Sequence, residues 1–245
     1  MAGHSHWSKI KRAKGATDAK RGKIWSKISR KIIIAAKSGG GDPRDNLSLR
    51  YIIDEAKQAN MPKNTIENAI AKGTGELGGD NFEAVLYEGY GPGGVAIMVE
   101  GLTNNRTRTA PEMRKIFEMG GGNMANSGSV AFQFTKQGII SIKAEGASED
   151  QLIEQALEAG AEDVRNEGEV FEVITTPATY LKVKEALTGG GVAIEAGEIT
   201  NMPNTTVPIA GENAQKLMKL LDTLEDHDDV QSVSHNAELP ESVGV

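Results

Sequence analysis

The chain has 245 residues, no cysteine and a net charge of −7. Without thiols there are no disulfides, no thiolate metal ligands and no cysteine nucleophile, which suits a reducing compartment such as the cytoplasm. A hydrophobic content of 38% with 25% charged residues is that of a soluble globular protein, and the apolar run from Ile32 to Ala36 is too short for a membrane span or a signal-peptide core.

The charge is unevenly divided. Residues 1–80 carry 16 basic and 8 acidic side chains, whereas residues 81–245 carry 11 and 26. The densest basic stretch, Gly3 to Lys37, holds eleven Lys or Arg against one acid, Asp18. A mitochondrial presequence is also basic, but Arg-rich; here Lys outnumbers Arg eight to three over the first 40 residues. The first part is suited to a polyanion and the remainder to staying off one.

Three helices are expected in the first 75 residues. The first covers Thr17 to Lys37, with Ile24, Ile28, Ile32 and Ala35 at helical spacing and Ser38-Gly39-Gly40-Gly41 as its stop. The second runs from Asn46 to Asn60 on Leu49, Ile52, Ile53 and Ala56. The third starts at Pro62, a residue suited to a first helical turn, and ends at Gly73. Gly73 to Asp80 reads as a linker. Beyond it, strands are expected at 82–87, 95–99, 130–134, 139–143, 170–174, 192–195, 205–209 and 230–235. Helices are expected at 109–119, 149–159, 177–187 and 212–224. Short alternating pieces with glycine-rich turns point to small open α+β sandwiches of ferredoxin-like type.

The basic stretch is the strongest functional signal. On a wheel with Ile24 at zero, the apolar residues of the first helix fall within about 80°, and Lys20, Lys23, Lys27, Arg30 and Lys31 fall between about 240° and 340°. Lys9, Lys11, Arg12, Lys14 and Arg21 add to that charge. A solvated helix face carries interleaved acids for i,i+4 pairing, and only Asp18 is at hand. Cations without internal counter-charges are therefore expected to neutralise nucleic-acid phosphates, with binding that weakens steeply as salt rises. Such contacts position a nucleic acid without reading its sequence, and no obvious base-reading set of Asn, Gln or Arg accompanies them. Trp7 and Trp25 lie in the same segment and have two readings, stacking on bases or, for Trp25 especially, packing in the core.

Other motifs carry less. His4 and His6 with no cysteine make a poor metal site, and join the candidate polyanion contacts instead. Gly91-Pro92-Gly93-Gly94 lacks the Lys-Ser/Thr of a nucleotide loop and reads as a tight hairpin. Glu225-Asp226-His227-Asp228-Asp229 lacks calcium-loop spacing and reads as a solvated helix end. In Thr103-Asn104-Asn105-Arg106-Thr107-Arg108-Thr109, with Thr107 or Thr109 as candidate caps, Arg106 and Arg108 are either partners in internal salt bridges or a second polyanion contact. No nucleophile–base pair stands out, so neither catalysis nor a cofactor is expected.

Taken in order, Ala2-Gly3-His4-Ser5-His6-Trp7, Asp18-Ala19-Lys20-Arg21-Gly22-Lys23-Ile24, Asn60-Met61-Pro62-Lys63-Asn64, Tyr87-Glu88-Gly89-Tyr90-Gly91-Pro92-Gly93-Gly94, Asn105-Arg106-Thr107-Arg108-Thr109, Ser127-Gly128-Ser129-Val130 and Pro203-Asn204-Thr205 resemble the YebC/PmpR family. That family includes the mitochondrial translational activator of cytochrome oxidase. The resemblance spans nearly the whole chain; one departure is His6, where relatives usually carry Lys. It implies a helical domain at 1–80, a discontinuous α+β domain at 81–132 and 205–245, and a second α+β domain inserted at 133–204. It also implies one of two functions: a DNA-binding transcriptional regulator, or a ribosome-associated translation factor that binds ribosomal RNA or tRNA and relieves stalls at proline-rich stretches. A protein-interaction adaptor with an acidic partner is a third reading of the charge alone.

Overall fold

The structure is a computed structural model that describes residues 18–78, 81–145 and 148–239, with backbone alone at 18–20. It is α+β, and its residues group into two compact units. One comprises the described residues up to Phe132 together with Ile209–Ala237; the other is Gln133–Pro208, inserted between them in sequence, with the described residues from Glu238 on.

The first unit opens with α1 (Asp18–Gly39), α2 (Leu47–Gln58) and α3 (Lys63–Thr74). Ile28, Ile32, Ile33 and Ala35 of α1 share a core with Leu49, Ala56, Met61, Ile66 and Ala69. Ile24, expected in that seam, is exposed, and Trp25 takes the inward place, its indole N–H donating to the Ala59 carbonyl at 3.0 Å. Asn46 fixes the α1–α2 corner. Its side-chain oxygen caps α2 at Leu49 N, and its amide nitrogen donates to Ala35 O and Gly40 O, both at 2.8 Å. α3 ends at Thr74, one residue later than the sequence suggests. Gly75, at φ 89°, is the left-handed cap, while Gly73 lies inside the helix, where an added Cβ would sit 2.5 Å from Ile33 O of α1.

The unit continues with β1 (Glu83–Tyr90), β2 (Ala96–Thr103), α4 (Arg106–Met119) and the two-residue β3 (Asn123–Met124). After the insertion it closes with α7 (Gly211–Asp226) and β9 (Val230–His235). The antiparallel sheet runs β3-β1-β2-β9, with the hairpin β1–β2 at its centre. Leu217, Leu220, Leu221 and Leu224 give α7 its buried stripe.

The inserted unit runs β4 (Phe134–Lys143), α5 (Glu149–Ala159), β5 (Asp163–Asn166), β6 (Val170–Thr175), α6 (Tyr180–Gly189), β7 (Ile194–Pro203) and the short β8 (Val207–Pro208). Its four-stranded antiparallel sheet has the order β5-β6-β4-β7, the ferredoxin-like connectivity. The first unit shares the α+β class but not this strand order. The strand expected at 130–134 is absent: the Val130 and Ala131 amides bond the Glu88 carboxylate instead of a ladder, and 131–133 form a 3₁₀ turn. The expected strands at 192–195 and 205–209 resolve into one long β7 and the brief β8.

Candidate nucleic-acid interface

The cations of α1 stand beside its apolar seam because 100° per residue sets Lys23, Lys27, Arg30 and Lys31 to one side of Ile28 and Ile32. The structure supplies that side with counter-charges from the first unit itself. Lys23 Nζ lies 3.5 Å from the Asp226 carboxylate and 3.2 Å from the Asp226 carbonyl. Lys27 Nζ donates to Glu225 O at 2.6 Å. Arg30 donates to Asp228 O and, at 3.1 Å, to Asp229 Oδ1. Lys31 is held by both oxygens of Glu55 at 2.8 and 3.0 Å. The expectation that these four cations lack internal partners therefore fails.

The acidic run is likewise more than a solvated helix end. A helix terminates with unpaired carbonyls and a partial negative charge, so carboxylates gathered there are unfavourable unless cations reach them. At the end of α7, Lys23 and Lys27 do so by taking the carbonyls of Asp226 and Glu225. The acids at an unfavourable helix end were the available sequence signal; the source of the cations, about 200 positions away, was not legible.

Asp229 is the anchor of this region, its side chain 4% exposed. It accepts from Arg108 at 2.5 Å, Thr109 Oγ1 at 2.8 Å and Thr103 Oγ1 at 3.1 Å, besides Arg30. Burial alone would raise its pKa; these hydrogen bonds and the Arg108 charge outweigh it and hold the carboxyl below its ordinary value. A register shift between Glu100 and Gly101 brings the Asp229 backbone against β2, where Leu102 N donates to Asp229 O at 2.7 Å. Asn105 caps α4 through Arg108 N at 3.1 Å, in place of the expected Thr107 or Thr109. Thus Arg108 is engaged internally, and Arg106 lies 3.7 Å from Glu83.

A cleft of about 630 Å³ opens here, its lining including Lys23, Arg30 and Arg108 together with Glu112, Asp226 and Asp228. Phe82 also lines it, with the Arg30 guanidinium 5.2 Å from its ring centre. His227 also lines it, but both its nitrogens are occupied: Nε2 faces Glu112 at 3.1 Å and Nδ1 accepts from Asp229 N at 3.1 Å. It therefore offers no free lone pair for proton abstraction. Burial is the largest influence on Lys27, lowering its pKa against the pull of Glu225 and the neighbouring acids. Among the described residues, no group of three or more His, Asp or Glu is placed to hold a metal ion, and no helix is long and apolar enough to cross a membrane.

His4, His6, Trp7, Lys9, Lys11, Arg12 and Lys14 lie outside the described residues, and Lys20 is placed on α1 by its backbone alone. Arg21 is exposed on the first described turns of α1.

Comparison with known proteins places the whole chain. Residues 5–76 match the model of the TACO1/YebC protein N-terminal domain, and residues 82–237 match that of the TACO1/YebC second and third domain. A protein of Desulfatibacillum aliphaticivorans named as a probable transcriptional regulatory protein is 52% identical over 241 residues, 98% of each chain. One of the same name from Acidithiobacillus ferrooxidans is 52% identical over 98% of this chain and 95% of its own. A crystal structure of a conserved hypothetical protein from Aquifex aeolicus superposes with a TM-score of 0.82 at 50% identity, covering 93% of this chain and 94% of that one.

Proposed function

Because the chain belongs to the TACO1/YebC family, we propose that it is a nucleic-acid-binding regulator, acting on transcription by binding DNA rather than by catalysis. Its relatives' names support the regulatory role. The observation that carries the binding reading is the composition of residues 3–21: six Lys or Arg against one carboxylate. Lys23, Arg30 and Lys31 are ion-paired within the protein and Lys27 donates to a backbone carbonyl; on sequence composition the phosphate-binding role is assigned to Lys9, Lys11, Arg12, Lys14, Lys20 and Arg21, with His4, His6 and Trp7 in the same segment. The cytoplasm, where nucleic acid is at hand, is its proposed place of action.

The test is fluorescence anisotropy of the full chain on a labelled DNA duplex across a salt series. Six phosphate contacts predict a slope of log K against log salt of about −5. Reversing Lys9, Lys11, Arg12 and Lys14 to Glu is expected to weaken binding by at least about a hundredfold; unchanged affinity would remove the proposal.

The engagement of Lys23 to Lys31 also favours a second reading. A lysine-dominated segment neutralises phosphates but does not distinguish DNA from RNA. The translation-factor role, on ribosomal RNA or tRNA, is that alternative. Structured RNA that displaces the duplex at equal or lower concentration would select it.

A further inference from the structure

We infer that the acidic tip Glu225–Asp229 is a built-in competitor for the phosphate backbone, and that nucleic acid binds α1 by exchanging with it at Lys23 and Lys27. The inference rests on the binding role proposed above and adds its regulation.

The contact has two tiers. The deep tier is Arg30 on Asp229: both side chains are well shielded, at 23% and 4% exposed, and Asp229 is also tied to Arg108, Thr103 and Thr109. Removing one partner there would strand a buried charge, so this tier holds. The shallow tier is Lys23 on Asp226, with side chains 50% and 75% exposed, and Lys27 on the Glu225 carbonyl. An exposed ion pair is weak, and Lys27 is held by a hydrogen bond to a backbone carbonyl within the field of the tip's acids. Lys23 and Lys27 lie about one turn apart on the same side of α1.

The tip reproduces what a phosphate strand offers. Four carboxylates occupy five successive positions, and backbone carbonyls at a helix C-terminus add partial negative charge. A nucleic acid held by the preceding basic residues brings phosphates to the first exchangeable cation, Lys23. Each cation that leaves the tip for a phosphate adds one neutralised phosphate to the complex. The tip therefore holds affinity down and favours ligands long enough to reach past Arg21. Arg30 stays anchored and sets where the exchange stops.

The experiment compares full-length wild type with Asp226→Asn/Asp228→Asn, Lys23→Gln/Lys27→Gln and the combined quadruple variant, on a labelled 20-base-pair duplex over a salt series. Circular dichroism and thermal melts confirm folding, with Asp226→Asn alone as the milder substitute. The acid-neutralised variant is expected to bind about tenfold tighter, with a salt slope steeper by up to about two. In the quadruple variant the gain should vanish. An equal gain in the Lys23→Gln/Lys27→Gln background would reduce the tip to general repulsion and overturn the inference. So would wild-type binding that Asp226→Asn/Asp228→Asn leaves unchanged, without touching the binding role itself. Binding by the acid-neutralised variant where wild type fails would support it; absence of binding in both would overturn inference and binding role together.

Discussion

Glu88 shows what a single side chain can organise. Its carboxylate, 2% exposed, accepts from the amides of Gly128 at 2.7 Å, Val130 at 2.6 Å and Ala131 at 2.8 Å. Burial alone would raise its pKa, but the three N–H donors stabilise the anion and hold it below the ordinary 4.5. A carboxyl depressed in the folded state contributes its full stability above the unfolded value and loses it as pH falls below. Glu88→Ala is therefore expected to cost about 3 kcal/mol at neutral pH, read from urea unfolding. Glu88→Gln should flatten the loss of stability expected of wild type as pH falls below 4.5. The motifs around Glu88 and Val130 were both visible in the sequence. Their connection was not, because the partners lie about 40 positions apart and hydrogen-bonding capacity does not name its acceptor.

Among the elements, glycine has two meanings that the sequence does not separate. Gly73 and Gly75 both look like helix stops. Gly75 caps through a positive φ, whereas Gly73 lets α3 approach α1, an added Cβ meeting Ile33 O at 2.5 Å and Ala36 Cβ at 2.7 Å. Helix propensity alone predicts that Gly73→Ala stabilises by about 1 kcal/mol. Backbone crowding of this kind costs about 1–3 kcal/mol, and the contact should win: a lower midpoint in thermal unfolding is expected. A higher one would mean that the helices separate without cost. Elements with strong periodicity and end signals were legible to within a few residues, as at α5 and β9. The edge strand β5 was not. Asp163-Val164-Arg165-Asn166 has neither apolar alternation nor strand propensity, and takes its extended form from pairing with β6.

At the scale of the whole chain, the charge asymmetry was legible and its use only partly so. Composition shows that the amino-terminal cations need anions but not whether those are the protein's own. The answer for Lys23, Lys27 and Arg30 lies 198 to 203 positions away, beyond any local pattern. The helices and the sheet of the first unit are therefore tied by these pairs and by Phe82, which packs on the helical core. Cleavage after Glu76 by a glutamate-specific protease is expected to leave the two large fragments together on gel filtration at physiological ionic strength. Their separation would show that the contacts do not hold once the connection is cut. The same long sequence separation orders events during synthesis. Chains emerge from the amino terminus, so α1 is complete long before α7 and β9 exist. Until β9 is threaded beside β2, the newborn helix carries Lys23, Lys27 and Arg30 without the partners that the α7–β9 corner later gives them, within reach of whatever polyanion surrounds it.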